Sequence, residues 1–227
     1  MAKKKEAYVP TVGEEIGNAV SHGVMSLLSL AALPFAAVWA YAHDSDGVLA
    51  SVSVSVFVIS IFLMFLASTL YHSMNPQSKH KDVFHILDHI FIYVAIAGSY
   101  TPFTLILLDG TWKGPVICGV VWAAALLGVT LNAVSVERFE KFSMLLYIAM
   151  GWAVVFAVGD VVRALPSAGF WLLLLGGVSY TGGIVFYAWH KKGRVHYMHG
   201  VWHLFVLLGS VLHYLCILLY VLPRAYA

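Results

Sequence analysis

Seven long apolar runs follow one another along this chain, separated only by short polar connections. Their approximate limits are 17–42, 48–74, 84–108, 114–134, 141–162, 168–190 and 199–222. Each reaches the roughly 20 residues that a helix needs to cross the hydrocarbon of a bilayer. The connections are His43–Gly47, Asn75–Asp82, Asp109–Lys113, Ser135–Glu140, Arg163–Ser167 and Lys191–Met198. Each carries the Gly, Pro, Asn, Asp or charge that ends a buried helix. None is long enough to hold a second domain. The pattern predicts an all-α membrane protein, a single seven-transmembrane helix bundle over 1–227 with a short N-terminal segment at 1–14.

Composition agrees. Of 227 residues 61% are hydrophobic and only 11% charged, against about 45–50% and about a quarter in a soluble domain. The net charge of +2 is small and its basic residues are spread through short loops, which speaks for membrane topology and against nucleic-acid binding. Lys3, Lys4, Lys5, Lys79, Lys81, Arg138, Lys141, Lys191, Lys192 and Arg194 fall on one side of the predicted bundle. Lys113, Arg163 and Arg224 fall on the other. Ten against three places the N-terminus in the cytoplasm and, after seven spans, the C-terminus outside. Cys118 and Cys216 lie inside apolar runs and are expected as reduced thiols. The basic start is followed by Glu14, Glu15, Asn18 and His22, with no small-residue cleavage site after the apolar run, so no removable signal peptide is expected.

Against this apolar background the polar residues stand out, because ionisable groups inside a bilayer are costly and mark function by default. His199 and His203 are four residues apart and share one face of the last span. Two imidazoles at that spacing can share a metal ion. Ser68 and His72 lie on one face near the end of the second span, and Asp88 lies near the start of the third. At 1.5 Å per residue, His72, Asp88 and His203 all fall within roughly 10 Å of the cytoplasmic boundary. Three spans thus bring metal-ligand residue types to one depth, which unrelated capping histidines would not do.

His72, His199 and His203 make a three-imidazole set with a fourth tetrahedral position left for water, the pattern of a catalytic zinc. Asp88 is either a fourth ligand or the general base for that water. Ser68, one turn deeper than His72, can orient a ligand or donate to a substrate carbonyl. Iron, nickel and copper also accept such ligands. No His-Glu-x-x-His sequence is present.

The remaining polar groups read more plainly. Glu15, Asn18 and His22 form one stripe of the first span, a polar clamp between helices or a support to the site. His85, one turn from Asp88, could compete as a ligand but is expected at headgroup level, and His89 points about 100° away from Asp88 around the helix. His213 lies roughly 15 Å beyond His203, too far to join the site, and is expected to hydrogen-bond within the bundle. His43, His80, His190 and His196 are expected in or near solvated loops. Gly98, Gly119, Gly128, Gly151, Gly176, Gly177, Gly182, Gly183 and Gly209 suit close helix packing. Asp160 and Arg163 suit an interfacial pair, and Tyr41, Trp112, Trp171, Trp189 and Tyr220 an aromatic belt.

Glu15-x-x-Asn18-x-x-x-His22, Ser68-x-x-x-His72, Asp88 and His199-x-x-x-His203 together resemble the signature of the hemolysin III family. This is the bacterial branch of the progestin and adipoQ receptor superfamily. Phe65-Leu-Ala-Ser-Thr-Leu-Tyr-His72, Ala97-Gly-Ser-Tyr-Thr-Pro-Phe103 and Ala149-Met-Gly-Trp152 also resemble bacterial members, and the likeness covers roughly 12–222. The resemblance implies a bacterial inner-membrane protein with zinc held near the cytoplasmic face by His72, His199 and His203. It implies that Asp88 holds a water at the zinc and that Ser68 lies beside it. It also implies two functional strands, ceramidase-like hydrolysis in the adiponectin receptors and cytolysis or membrane-fluidity homeostasis in bacterial members.

Two readings therefore stand open. One is a zinc-dependent hydrolase of a lipid amide or ester, with Asp88 taking the proton from water and substrate entering laterally from the membrane. The other is a non-enzymatic protein, a pore-forming cytolysin or lipid-state sensor, in which zinc only ties spans together. Clustering of the polar groups at one end argues against a full-length aqueous pore. Membrane lipids are the partners expected on either reading; the sequence is silent on oligomeric state.

Overall fold

The computed structural model describes residues 9–191 and 195–223, and their regular structure is wholly helical. The helices are α1 (Val12–His43), α2 (Gly47–Ser73), α3 (Lys79–Pro102), α4 (Lys113–Val134), α5 (Val136–Gly151), α6 (Val158–Ala164), α7 (Ser167–Lys191) and α8 (Met198–Cys216). Wider π turns extend α3 through Phe103–Leu107 and α8 through Ile217–Val221. With those extensions, and with α5 and α6 counted together, seven segments among the described residues are long and apolar enough to cross a membrane. Of the basic residues that set the expected orientation, Lys3, Lys4, Lys5, Lys192, Arg194 and Arg224 lie outside the described residues.

Several helices begin earlier than the apolar pattern predicts, and capping explains it. α1 starts at Val12 rather than residue 17 because Thr11 and Glu14 form a reciprocal capping box. Ser78 caps α3 at Lys79, and Ser135 accepts from the Arg138 N–H to start α5. The connection expected over Ser135–Glu140 is thus almost entirely helix.

The fifth span departs further from expectation. It is not one continuous helix: α5 ends at Gly151, a tight 3₁₀ stretch covers Ala153–Ala157, and α6 resumes at Val158. Tyr100 of α3 occupies the break. Its hydroxyl donates to the Gly151 carbonyl at 2.9 Å and accepts from the Val154 N–H at 3.0 Å. A backbone group freed inside a membrane needs such a partner.

The bundle has an apolar surface, and its interior combines a hydrophobic core with buried polar groups. Leu27 (70% exposed) and Phe156 (81%) are among many large apolar side chains on its surface, an arrangement that suits lipid contact and not water. Buried Ser and Thr return their hydroxyls to the preceding turn, as Ser60 does to Val56 O and Thr104 to Tyr100 O. Glycine is required at Gly98, where a Cβ would lie 2.2 Å from Ser60 Oγ, and at Gly128, 2.2 Å from Tyr93 Cε1. Gly119, Gly151 and Gly177 have open space instead, so their expected packing role is not met.

Candidate metal centre

α1, α2 and α8 meet at one end of the bundle, where α1 packs on both of the others. There His72 of α2 and His199 and His203 of α8 converge, each offering a ring nitrogen within 4.8 Å of the others. His72 and His203 are buried and His199 is half-buried. The four-residue spacing on α8 stacks His199 and His203 on one face, with ring centroids 4.6 Å apart.

The hydrogen bonds around the rings put lone pairs on the inward nitrogens of His72 and His203. His72 Nδ1 donates to the Glu15 carboxylate, so its Nε2 carries a lone pair. The same carboxylate accepts from Lys81 Nζ at 2.9 Å. Ser21 gives its hydroxyl hydrogen to Asn18 O at 3.0 Å, so the 3.3 Å contact between Ser21 Oγ and His203 Nδ1 has the imidazole as donor. His203 Nε2 is then a lone pair, buried and without a hydrogen-bond partner among the described residues. His199 Nε2 lies 3.2 Å from His72 Nε2.

A divalent cation fits this donor set. Zinc–nitrogen bonds of about 2.0–2.1 Å in tetrahedral geometry set ligand nitrogens about 3.3 Å apart, close to the 3.2 Å between His72 and His199. The cation would also satisfy the orphaned Nε2 of His203. A carboxylate on the far nitrogen of a ligating histidine is the usual support for a metal site, and Glu15 stands there toward His72. The three histidines can therefore hold a metal ion.

The other expected residues are disposed around this core. Asp88 is buried and lines a cavity of about 150 Å³ together with His22, His89 and His199. It lies outside the 4.8 Å histidine set, which disfavours direct ligation and leaves it facing the space beside the imidazoles. Ser68 is buried one turn from His72, and its hydroxyl has no hydrogen-bond partner among the described residues. His22 stacks flat on His203, with centroids 3.6 Å apart and an interplanar angle of 8°, and fixes that ring from behind. His89 donates from Nδ1 to His85 O, and His85 sits near the rim, 3.9 Å from Glu137.

Three expectations need correction or sharpening. His190 is not a solvated loop residue: α7 runs to Lys191 and carries the His190 ring to 5.0 Å from His199. His43 stacks on Trp39 and bonds its carbonyl, closing the end of α1. Asp160 pairs with Lys113 at 2.7 Å as well as with Arg163, tying α6 to the start of α4. His213 hydrogen-bonds within the bundle as expected, donating from Nε2 to Leu173 O at 3.2 Å.

The fold and site define a class: a multi-pass membrane protein with a buried three-histidine cluster where its first, second and last spans meet. The model of the family described as Haemolysin-III related matches residues 11–214, and the chain belongs to that family. It is 41% identical to Hemolysin-3 of Bacillus cereus over 225 residues, 99% of this chain and 100% of the relative. It is 42% identical to the Hemolysin-3 homolog of Bacillus subtilis over 210 residues, 92% and 95% of the two chains. A more distant relative is the monocyte to macrophage differentiation factor of Homo sapiens, 25% identical over 218 residues, 92% of this chain and 85% of that one.

Proposed function

We propose that this protein is a zinc-dependent membrane hydrolase acting on a lipid amide or ester. The observation that carries the reading is a three-imidazole cluster, one member of which, His199, lines a cavity together with the buried Asp88 carboxylate. Zinc held by His72, His199 and His203 would supply Lewis-acid polarisation and an activated water at its open position. Asp88 serves as general base, taking a proton from the attacking water on the cavity side of the histidines. Ser68 stands beside His72 with an uncommitted hydroxyl that can orient the ligand set. Glu15 holds His72 in its ligating tautomer, and the stacked His22 holds His203.

The cavity extends from this site between α3, α5, α7 and α8 and is lined mainly by apolar side chains. α5 packs on α3 and α4, whereas α7 packs on α8. A lipid chain would enter sideways between α5 and α7. We place the site at the cytoplasmic face, where the chain's Lys and Arg concentrate.

A second reading follows from the names of the relatives. Two of them are called hemolysins, and a metal that merely clasps α2 to α8 would suit a cytolysin or a lipid-state sensor. A structural zinc site normally has four protein ligands, and only three gather here among the described residues.

Metal content of the detergent-purified protein, beside the triple variant His72→Ala, His199→Ala, His203→Ala, tests the site. About one zinc per wild-type chain and none in the variant is the expected result. Release of fatty acid from lipid amides by the wild type then separates hydrolase from clasp. A well-folded wild-type protein without metal would overturn both metal readings.

A further inference from the structure

Glu14 is buried, 3% exposed, in the first turn of α1 beside Glu15. Its carboxylate is shared between two helix starts. Oε2 accepts from the Thr11 backbone N–H at 2.8 Å and from the Thr11 hydroxyl at 2.9 Å, closing the cap of α1. Oε1 accepts from the Tyr197 N–H at 2.7 Å, 183 positions along the chain. Tyr197 is the N-cap residue of α8. One carboxylate thus serves the cap N–H of two helices, where their dipoles favour negative charge.

The start of α8 depends on such a partner. Tyr197 supplies no side-chain cap, and its backbone stands at φ 63° and ψ 4°. It is the one non-glycine residue with positive φ among the described residues, a conformation that a Cβ makes costly. Two residues later comes His199, whose ring is the least supported of the three by hydrogen bonding. His72 has Glu15 behind it, and His203 has Ser21 and the stacked His22. His199 Nδ1 has no hydrogen-bond partner among the described residues, and the ring packs on His190 and Trp202 at 5.0 Å between centroids. Where His199 stands is therefore set by how the first turn of α8 is held.

We infer that Glu14 is a positioning residue for the metal centre: its bond to Tyr197 holds the start of α8 so that His199 meets His72. The inference rests on the reading of the histidines as a metal site. Consecutive carboxylates of α1 then govern ligands on two other helices, Glu15 through His72 on α2 and Glu14 through the start of α8.

The test uses the full-length protein in detergent. Competition against a chelator reads zinc affinity, and the visible spectrum of the cobalt(II)-loaded form reads the geometry of the site. Glu14→Ala should bind zinc about 10–100-fold more weakly, as for loss of a supporting partner. Its fully loaded cobalt spectrum should differ from that of wild type, which a loss of fold stability alone would not cause. Thr11→Ala weakens the cap of α1 and leaves the Tyr197 contact in place, so its affinity and spectrum should match wild type. Adding Tyr197→Gly to Glu14→Ala should recover about tenfold in affinity, because glycine takes a positive φ freely. Wild-type affinity and spectrum in Glu14→Ala would overturn the inference. So would an equal loss in Thr11→Ala, or no recovery in the double variant. If Glu14→Ala does not fold, Glu14→Gln, which keeps one acceptor oxygen, carries the same comparison. Failure of the wild-type protein itself to bind zinc or cobalt would overturn the metal reading, and this inference with it.

Discussion

Glu15 and His72, 57 positions apart in sequence and on adjacent helices, are joined by a hydrogen bond from the imidazole Nδ1 to the carboxylate. The contact turns His72 Nε2 toward His199 and His203, and Lys81 balances the charge of the carboxylate.

Glu15→Gln keeps an acceptor near His72 but loses the charge and the pairing with Lys81. Zinc affinity should fall about 10–100-fold, the usual cost of losing a supporting partner. Full stoichiometry should return at saturating zinc. Competition against a chelator of known affinity measures this, and an unchanged affinity would show that Glu15 does not orient the ligand.

His203→Ala removes a ligand outright. Its affinity loss should exceed the roughly 100-fold upper range for a supporting residue, and the purified variant should carry little zinc. Mass-spectrometric metal analysis reads the outcome directly; full retention would remove His203 from the site.

Asp88→Asn is nearly isosteric but cannot take a proton. It should keep its zinc and lose about 10²- to 10⁴-fold in lipid hydrolysis, the range for a positioned general base. Turnover equal to wild type would assign the proton transfer to another group.

Tyr100→Phe withdraws the hydroxyl that serves Gly151 O and Val154 N at the break in the fifth span. Two backbone groups inside the membrane lose a partner, at about 1–3 kcal/mol for each that stays unpaired. The variant should unfold at lower temperature in detergent by circular dichroism, with its zinc content intact. A thermal midpoint equal to wild type would mean that the break does not depend on Tyr100.

The seven spans were legible because a bilayer imposes a length on every crossing helix, and each apolar run meets it. The three histidines were legible because the four-residue step fixes His199 and His203 on one face and span order sets the depth of His72. Glu15 could be placed on a stripe with Asn18 and His22, yet nothing within either helix tells how α1 and α2 are rotated against each other. Its bond to His72 therefore appears only in three dimensions. The break after Gly151 left no trace either, since Ala153–Ala157 is as apolar as its surroundings and its partner comes from α3. The early start of α1 did have a signal, Thr11 followed three residues later by Glu14. His190 was misplaced because the limit of an apolar run is a poor guide to where a helix ends.

The cluster draws on the first, second and last spans, and His72 precedes His199 by 127 residues. At roughly 5–20 residues per second, about 6–25 s of synthesis separate the two. During that interval the growing chain carries only one of the three histidines. The three-histidine set is therefore completed late in biogenesis: a chain whose final helix is left out of the bilayer cannot assemble it, and an assembled set reports that insertion is complete.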